Sequence, residues 1–129
     1  MADEKKYKIL LLDDDQFLID MYSLKFTQGG NTVQSCFSVD EALTILRGGF
    51  VPDAIVFDLV MPGKDGFDFL RAVKEEKLVP QAVLIALTNQ SADEEKKKTE
   101  ELGTDAYIVK AMTIPSEVVN LVIAAIEKR

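Results

Sequence analysis

Uninterrupted apolar runs alternate with segments of helical periodicity along the chain. The first run, Ile9-Leu10-Leu11-Leu12, lacks the polar alternation of a half-exposed strand, and this is typical of a strand buried on both faces. Four further segments are interpreted as strands, of which the second is weaker and resembles an edge strand. The predicted strands are residues 8–12, 32–37, 54–57, 83–87 and 107–109.

A helix is predicted after each strand. The first covers residues 15–28 and has the apolar residues Phe17, Met21 and Leu24 on one side. The second follows Ser38, ends at Gly48-Gly49, and carries an apolar stripe of Val39, Ala42, Leu43 and Leu46. The third helix covers residues 66–77. The fourth begins at a capping box of Ser91 and Glu94 and ends near Gly103, and the fifth runs from Pro115 to about Lys128.

Five strand–helix units in this order predict an α/β fold built on a mostly parallel sheet. The length of 129 residues leaves room for one domain, which we place at residues 7–129 after an N-terminal tail at 1–6. With 47% hydrophobic and 29% charged residues, the composition is that of a globular protein and argues against disorder.

The fourth helix has little to bury, because Ala92 and Leu102 are almost its only apolar residues. We therefore expect it to be loosely held. Its lysines, 96–98, can pair with Asp93 and Glu94 four residues earlier, which favours a solvated, salt-bridged face over a basic binding patch.

The last helix has the opposite character. Its apolar residues, Val118, Val119, Leu121, Val122, Ile123, Ala125 and Ile126, cover more than a stripe of about 100°. Either all of them pack in the core, or one side is an exposed patch for a partner or for a homodimer through the fourth helix, fifth strand and last helix.

The charge balance limits the kinds of partner that this chain is expected to bind. A formal net charge of −7 disfavours nucleic acid and anionic membranes, and no run approaches the roughly 18 apolar residues of a membrane span. The polar start of the chain does not resemble a secretion signal, so we expect a cytoplasmic protein. The single cysteine, Cys36, is interpreted as a packing residue.

Polar residues follow the predicted strands directly. Strand one is followed by Asp13-Asp14-Asp15, strand three by Asp58, strand four by Thr88 and strand five by Lys110. Because ligands of parallel α/β sheets bind beyond the carboxyl ends of the strands, we expect these side chains at one edge.

Two carboxylates about 4 Å apart repel by roughly 4 kcal/mol at an effective dielectric of about 20, so the cluster needs cations. The available metal ligands are oxygen atoms, with no histidine, and this favours Mg²⁺. A magnesium ion, a lysine and a hydroxyl beside a carboxylate suit the transfer of a phosphoryl group to that carboxylate.

At this point the sequence resembles the receiver domains of two-component response regulators, most closely the stand-alone, chemotaxis-regulator-like type. The continuation of the third strand, Asp58-Leu59-Val60-Met61-Pro62-Gly63-Lys64-Asp65-Gly66, is the specific motif. Weaker matches lie at residues 9–15, 86–88 and 103–110. The resemblance covers about residues 7 to 128 and implies a flavodoxin-like (βα)5 doubly wound sandwich with the strand order 2-1-3-4-5.

The resemblance also implies roles for single residues. Asp58 is the expected phospho-acceptor, Asp14 the direct Mg²⁺ ligand, and Asp13 a ligand acting through water. The backbone carbonyl of Val60 would complete the protein ligands. Thr88 and Lys110 would bind phosphoryl oxygens, and Tyr107 would be the aromatic residue whose rotamer follows Thr88.

The function that the resemblance implies is a switch rather than an enzyme, with at most slow self-catalysed phosphorylation and dephosphorylation. A histidine kinase or phosphotransfer protein would phosphorylate Asp58, and the domain would then change its affinity for a separate target protein. Two alternatives stay open: a pseudo-receiver that docks without phosphorylation, and a haloacid-dehalogenase-like phosphatase. The latter fits poorly because Phe17, rather than Thr or Val, stands two residues beyond Asp15.

Structural interpretations compete with several of these roles. Asp13 and Asp15 can cap the first helix, and for Asp15 this is the favoured role. Thr88 can be a loop hydroxyl and Lys110 a surface lysine, while Tyr107 can be a half-buried strand residue. Ala111 stands where the family usually has a proline after a cis bond, so the isomer at Lys110-Ala111 is left open.

Overall fold

The computed structural model describes residues 6–89 and 92–129. Within them, five parallel strands form one sheet in the order β2-β1-β3-β4-β5, which confirms the flavodoxin-like (βα)5 prediction. The strands are β1 (Lys8–Leu12), β2 (Thr32–Cys36), β3 (Ala54–Phe57), β4 (Val83–Thr88) and β5 (Ala106–Val109). The α-helices are α1 (Gln16–Gln28), α2 (Val39–Arg47), α3 (Gly66–Glu75), α4 (Asp93–Glu101) and α5 (Pro115–Lys128).

Hydrophobic cores lie on both faces of the sheet. Leu10 and Leu12 of β1 point into the core that α2 and α3 cover, whereas Ile9 and Leu11 point into the core that α1 and α5 cover. Successive strand residues face opposite sides, so a central strand must be apolar at every position. This explains the uninterrupted run from which β1 was predicted.

The predicted apolar side of α1 is not its buried face. Phe17 and Leu24 are 76% and 56% exposed, and Ile19, Tyr22 and Phe26 are the buried residues. At 100° per residue the two sets lie on opposite sides of the helix, and both have helical spacing. The periodicity therefore does not distinguish them.

The other helices follow the predictions more closely. The predicted stripe of α2 is fully buried. Helix α3 ends at Glu75, earlier than predicted, and Lys77 beyond it has a φ of 54°. Thr99 is the buried residue of α4, which agrees with the expectation that this helix has little to bury. The proposed cap Ser91 lies outside the described residues.

The lysines of α4 do not form the predicted ion pairs. In the part of the chain that the structure describes, no salt bridge joins Lys96, Lys97 or Lys98 to a carboxylate. The Nζ atom of Lys98 lies instead 4.3 Å from the ring centroid of Phe67 at the start of α3. A cation over an aromatic face is attracted by the ring, and this contact links α4 to α3.

The apolar residues of α5 are not all buried. Val118, Val122 and Ile126 are buried against the sheet, while Leu121 remains 46% exposed beside a groove along β5. Cys36 is fully buried, as expected of a packing residue, and burial raises the pKa of its thiol to about 12.

The two phenylalanines of α1 test which face is buried. We expect Phe26→Ala to lower the free energy of unfolding by about 3–5 kcal/mol, because a fully buried ring is removed. The same change at the exposed Phe17 is expected to cost less than about 0.5 kcal/mol. Urea unfolding of both variants measures the difference, and a larger loss for Phe17→Ala would contradict the observed packing.

Candidate functional site

The register of the sheet brings the ends of β1 and β3 to the same level. Leu12 is paired with Phe57, and Phe57 with Ala86 of β4. The next residue of the third strand, Asp58, donates its backbone N–H to the carbonyl of Leu12 at 2.9 Å. Asp13 and Asp58 therefore leave neighbouring strands side by side, as the sequence predicted.

Three carboxylates meet at this edge. One oxygen from each of Asp13, Asp14 and Asp58 can be chosen so that all three lie within 4.8 Å of one another. Asp13 and Asp58 are buried and Asp14 is exposed, so the cluster is accessible from the Asp14 side.

Lys110 closes the cluster from the end of β5. Its Nζ atom donates to Oδ2 of Asp13 at 2.5 Å and to Oδ2 of Asp58 at 3.3 Å. The side chain is only 8% exposed, so Lys110 is not a surface lysine. The peptide bonds of the described residues are all trans, including Lys110-Ala111, and a 3₁₀ turn at Lys110–Met112 follows β5.

The charges in the cluster do not balance. Three carboxylates and one ammonium group leave two negative charges in excess. Burial raises the pKa of Asp13 despite the hydrogen bond from Lys110. Burial alone would lower the pKa of Lys110, but the hydrogen bond and charge of Asp13, together with Asp58, raise it. Burial of the Asp13 carboxylate thus outweighs its hydrogen bond to Lys110.

Oxygen donors in an excess of negative charge suit a hard divalent cation. Mg²⁺ binds through one or two carboxylates and keeps several waters, which fits the exposed Asp14 beside the buried pair. The cluster could therefore hold Mg²⁺, with carboxylates that lie close to one another before the ion binds.

The remaining predicted residues lie around this cluster. Thr88 is the buried last residue of β4, and Tyr107 in β5 is half-buried and opposite Ala86. The pKa of Tyr107 is raised by burial and by the charges of Glu95 and Asp58, so its hydroxyl is within the field of the cluster. The side chain of Val60 is exposed.

Asp15 belongs to the helix rather than to the cluster. Its side chain accepts a hydrogen bond from the backbone N–H of Leu18 at 3.2 Å and caps α1, as favoured from the sequence. Asp13 also supports this turn, because its Oδ1 accepts from the N–H of Asp15 at 3.0 Å.

Gly66, the predicted first residue of the third helix, also makes a close contact with the backbone that continues from β3. A Cβ at this position would lie 2.4 Å from the backbone oxygen of Asp58 and 2.8 Å from Cα of Leu59. The loop after β3 can return this closely to Asp58 only with glycine at its end. The sequence motif contained this residue but gave no sign of the contact.

Comparisons with known proteins identify the family. Residues 9–122 match the family model of the response regulator receiver domain, so the chain belongs to that family. The chain is 31% identical over 129 residues to the transcriptional regulatory protein ResD of Bacillus subtilis, covering 99% of this chain and 51% of that protein. It is 33% identical over 102 residues to AfsQ1, a transcriptional regulatory protein of Streptomyces coelicolor, covering 79% and 44%. The chain thus spans about half the length of these relatives.

Solved structures give the same fold. The receiver domain of the Francisella response regulator 1452 matches with a TM-score of 0.84 at 25% identity, covering 95% of this chain and 98% of that one. The Vibrio cholerae chemotaxis protein CheY4 matches with a TM-score of 0.85 at 24% identity, covering 94% and 99%. Receiver domains are signalling domains of two-component systems that act with histidine kinases and downstream effectors.

None of the helices in the described residues is long and apolar enough to span a membrane.

Removal of the exposed carboxylate tests the electrostatic account. We expect Asp14→Asn to raise the free energy of unfolding in metal-free buffer by about 1 kcal/mol, because one like charge is removed. Mg²⁺ at about 100 times its dissociation constant should stabilise the wild type by about 2.7 kcal/mol and the variant much less. Thermal unfolding with EDTA or Mg²⁺ measures both effects. Asp20→Asn, an exposed change on α1, is the matched control, and equal Mg²⁺ stabilisation of both variants would contradict the assignment.

Proposed function

We propose that this chain is a phosphorylation-controlled receiver that accepts a phosphoryl group on Asp58 from a histidine kinase or phosphotransfer protein. The observation that supports this most is the position of Asp58, which lies with two further carboxylates and Lys110 at the carboxyl edge of the sheet. The family match favours a receiver over a haloacid-dehalogenase-like phosphatase.

The chemistry follows from the surroundings of Asp58. Its Oδ1 accepts from the N–H of Leu59 at 2.8 Å and its Oδ2 from Lys110, so the carboxylate is held at both oxygens. One of these oxygens forms a bond to phosphorus while the bond from phosphorus to the donor nitrogen breaks. The leaving nitrogen keeps the electron pair of that bond.

Mg²⁺ bound by Asp13, Asp14, Asp58 and the carbonyl of Val60 would neutralise charge on the phosphoryl oxygens. Lys110 is near enough to follow the new charge, since its Nζ already contacts Asp58. Thr88, at the end of the adjacent strand, is the proposed hydroxyl donor to another phosphoryl oxygen.

Phosphorylation changes the charges that hold the cluster together. It adds about 1.5 to 2 negative charges and draws Thr88 and Lys110 towards the new group. The effect is proposed to reach a separate target protein through Tyr107 and α4, which has a single buried residue in its described part. The possible homodimer through α4, β5 and α5 and the cytoplasmic location stay predictions.

Acetyl phosphate labelling tests the acceptor. We expect incubation with acetyl phosphate and Mg²⁺ to add the mass of one phosphoryl group, because Asp58 is the proposed nucleophile of the cluster. EDTA should prevent the adduct and Asp58→Asn should abolish it, whereas Asp20→Asn should be labelled like the wild type. Intact-protein mass spectrometry gives the result.

Two outcomes would replace the proposal. An unlabelled wild type, under conditions that label a control receiver, would favour the pseudo-receiver. Hydrolysis of para-nitrophenyl phosphate that is lost with Asp13→Ala but kept with Asp58→Ala would favour the phosphatase.

A further inference from the structure

A small void, open on one side, is lined in part by Asp13 and Asp58 of the acidic cluster. About 10 Å³ of it is open to the centre of a water molecule, which is close to the least space that one water needs. Asp13, Asp58 and Tyr22 supply the polar side chains of its lining, and the rest of the lining is apolar. These three residues are the candidate partners of a water molecule there, and buried waters have two to four polar partners.

Tyr22 is the unexpected member of this set. It lies on the buried face of α1 and is 4% exposed, yet its hydroxyl forms no hydrogen bond with any residue that the structure describes. No side-chain nitrogen or oxygen of the described residues is both fully buried and unpaired. The oxygen of Tyr22 therefore retains some access to open space.

The hydroxyl also lies within the field of the cluster. Burial raises the pKa of Tyr22, the charge of Lys110 lowers it, and the charge of Asp13 raises it. A phenylalanine would bury the same ring, so packing in the core does not by itself explain a hydroxyl at this position.

We propose that Tyr22 is a positioning residue for the acidic cluster: its hydroxyl binds one water molecule in the void, and that water bridges to the carboxylates of Asp13 and Asp58. Both carboxylates can accept a further hydrogen bond from this water. Asp13 accepts from Asp15 and Lys110, and Asp58 from Leu59 and Lys110, which leaves further lone pairs on each.

The bridging water would fix the orientation of the two buried carboxylates before the metal binds. A ligand set held in place binds a cation more tightly than one that must first be ordered. The inference rests on the proposed function for its metal, but the water itself is independent of phosphorylation.

Tyr22→Phe tests the inference, with Tyr7→Phe as the matched control. The Tyr7 hydroxyl donates a hydrogen bond to Glu127 at 3.1 Å. Tyr7 directly precedes β1, at the opposite end of this strand from Asp13. We expect the Mg²⁺ concentration that gives half-maximal labelling by acetyl phosphate to rise two- to tenfold in Tyr22→Phe, the effect of one hydrogen bond. Tyr7→Phe should match the wild type, and the melting temperature should show that Tyr22→Phe is folded.

A crystal structure provides the second readout. Wild-type density should show a water within hydrogen-bond distance of Tyr22 Oη and of an oxygen of Asp13 or Asp58, and this water should be missing in Tyr22→Phe. An unchanged Mg²⁺ dependence of Tyr22→Phe, or a void without water in the wild type, would overturn the inference. An unlabelled wild type would instead overturn the proposed function, and the density would still decide the role of Tyr22.

Discussion

Mutual repulsion among Asp13, Asp14 and Asp58 is the constraint on which the rest of the site depends. Two of these carboxylates are buried, where charge is poorly screened, and one ammonium group lies between them. Lys110 relieves the repulsion only in part, because two negative charges remain uncompensated. A site in this condition suits a divalent cation, and the proposed phosphorylation of Asp58 depends on that property.

Packing and strand pairing in the rest of the fold hold the three carboxylates together despite their repulsion. Strands β1 and β3 are apolar on both faces and paired over their full shared length, so their ends cannot separate to relieve the charges. Gly66 closes the loop over the backbone of Asp58, and Asp15 anchors the start of α1 beside Asp13. The carboxylates are thus positioned by backbone that is fixed for reasons of packing.

The sequence predicted the parts of the structure that follow from local pattern. The bounds of β1 and β3 were predicted correctly, and the geometry of parallel sheets then placed Asp13, Asp58 and Lys110 together. What it missed depends on contacts between distant segments. Helix α1 has apolar residues on opposite sides, and only packing against α5 and the sheet selects the side with Tyr22. The position of Lys98 over Phe67 likewise depends on how α3 and α4 approach one another, which no local spacing encodes.

The most direct test of this account is a Mg²⁺ titration of the unphosphorylated protein, followed by the backbone amide resonances. We expect saturable shifts that are largest at Asp13, Asp14 and Asp58 and extend to Lys110, while the amides of the opposite sheet edge stay unchanged. Shifts that do not saturate, or that centre on another acidic part of the surface, would contradict the claim that this edge is built for a divalent cation.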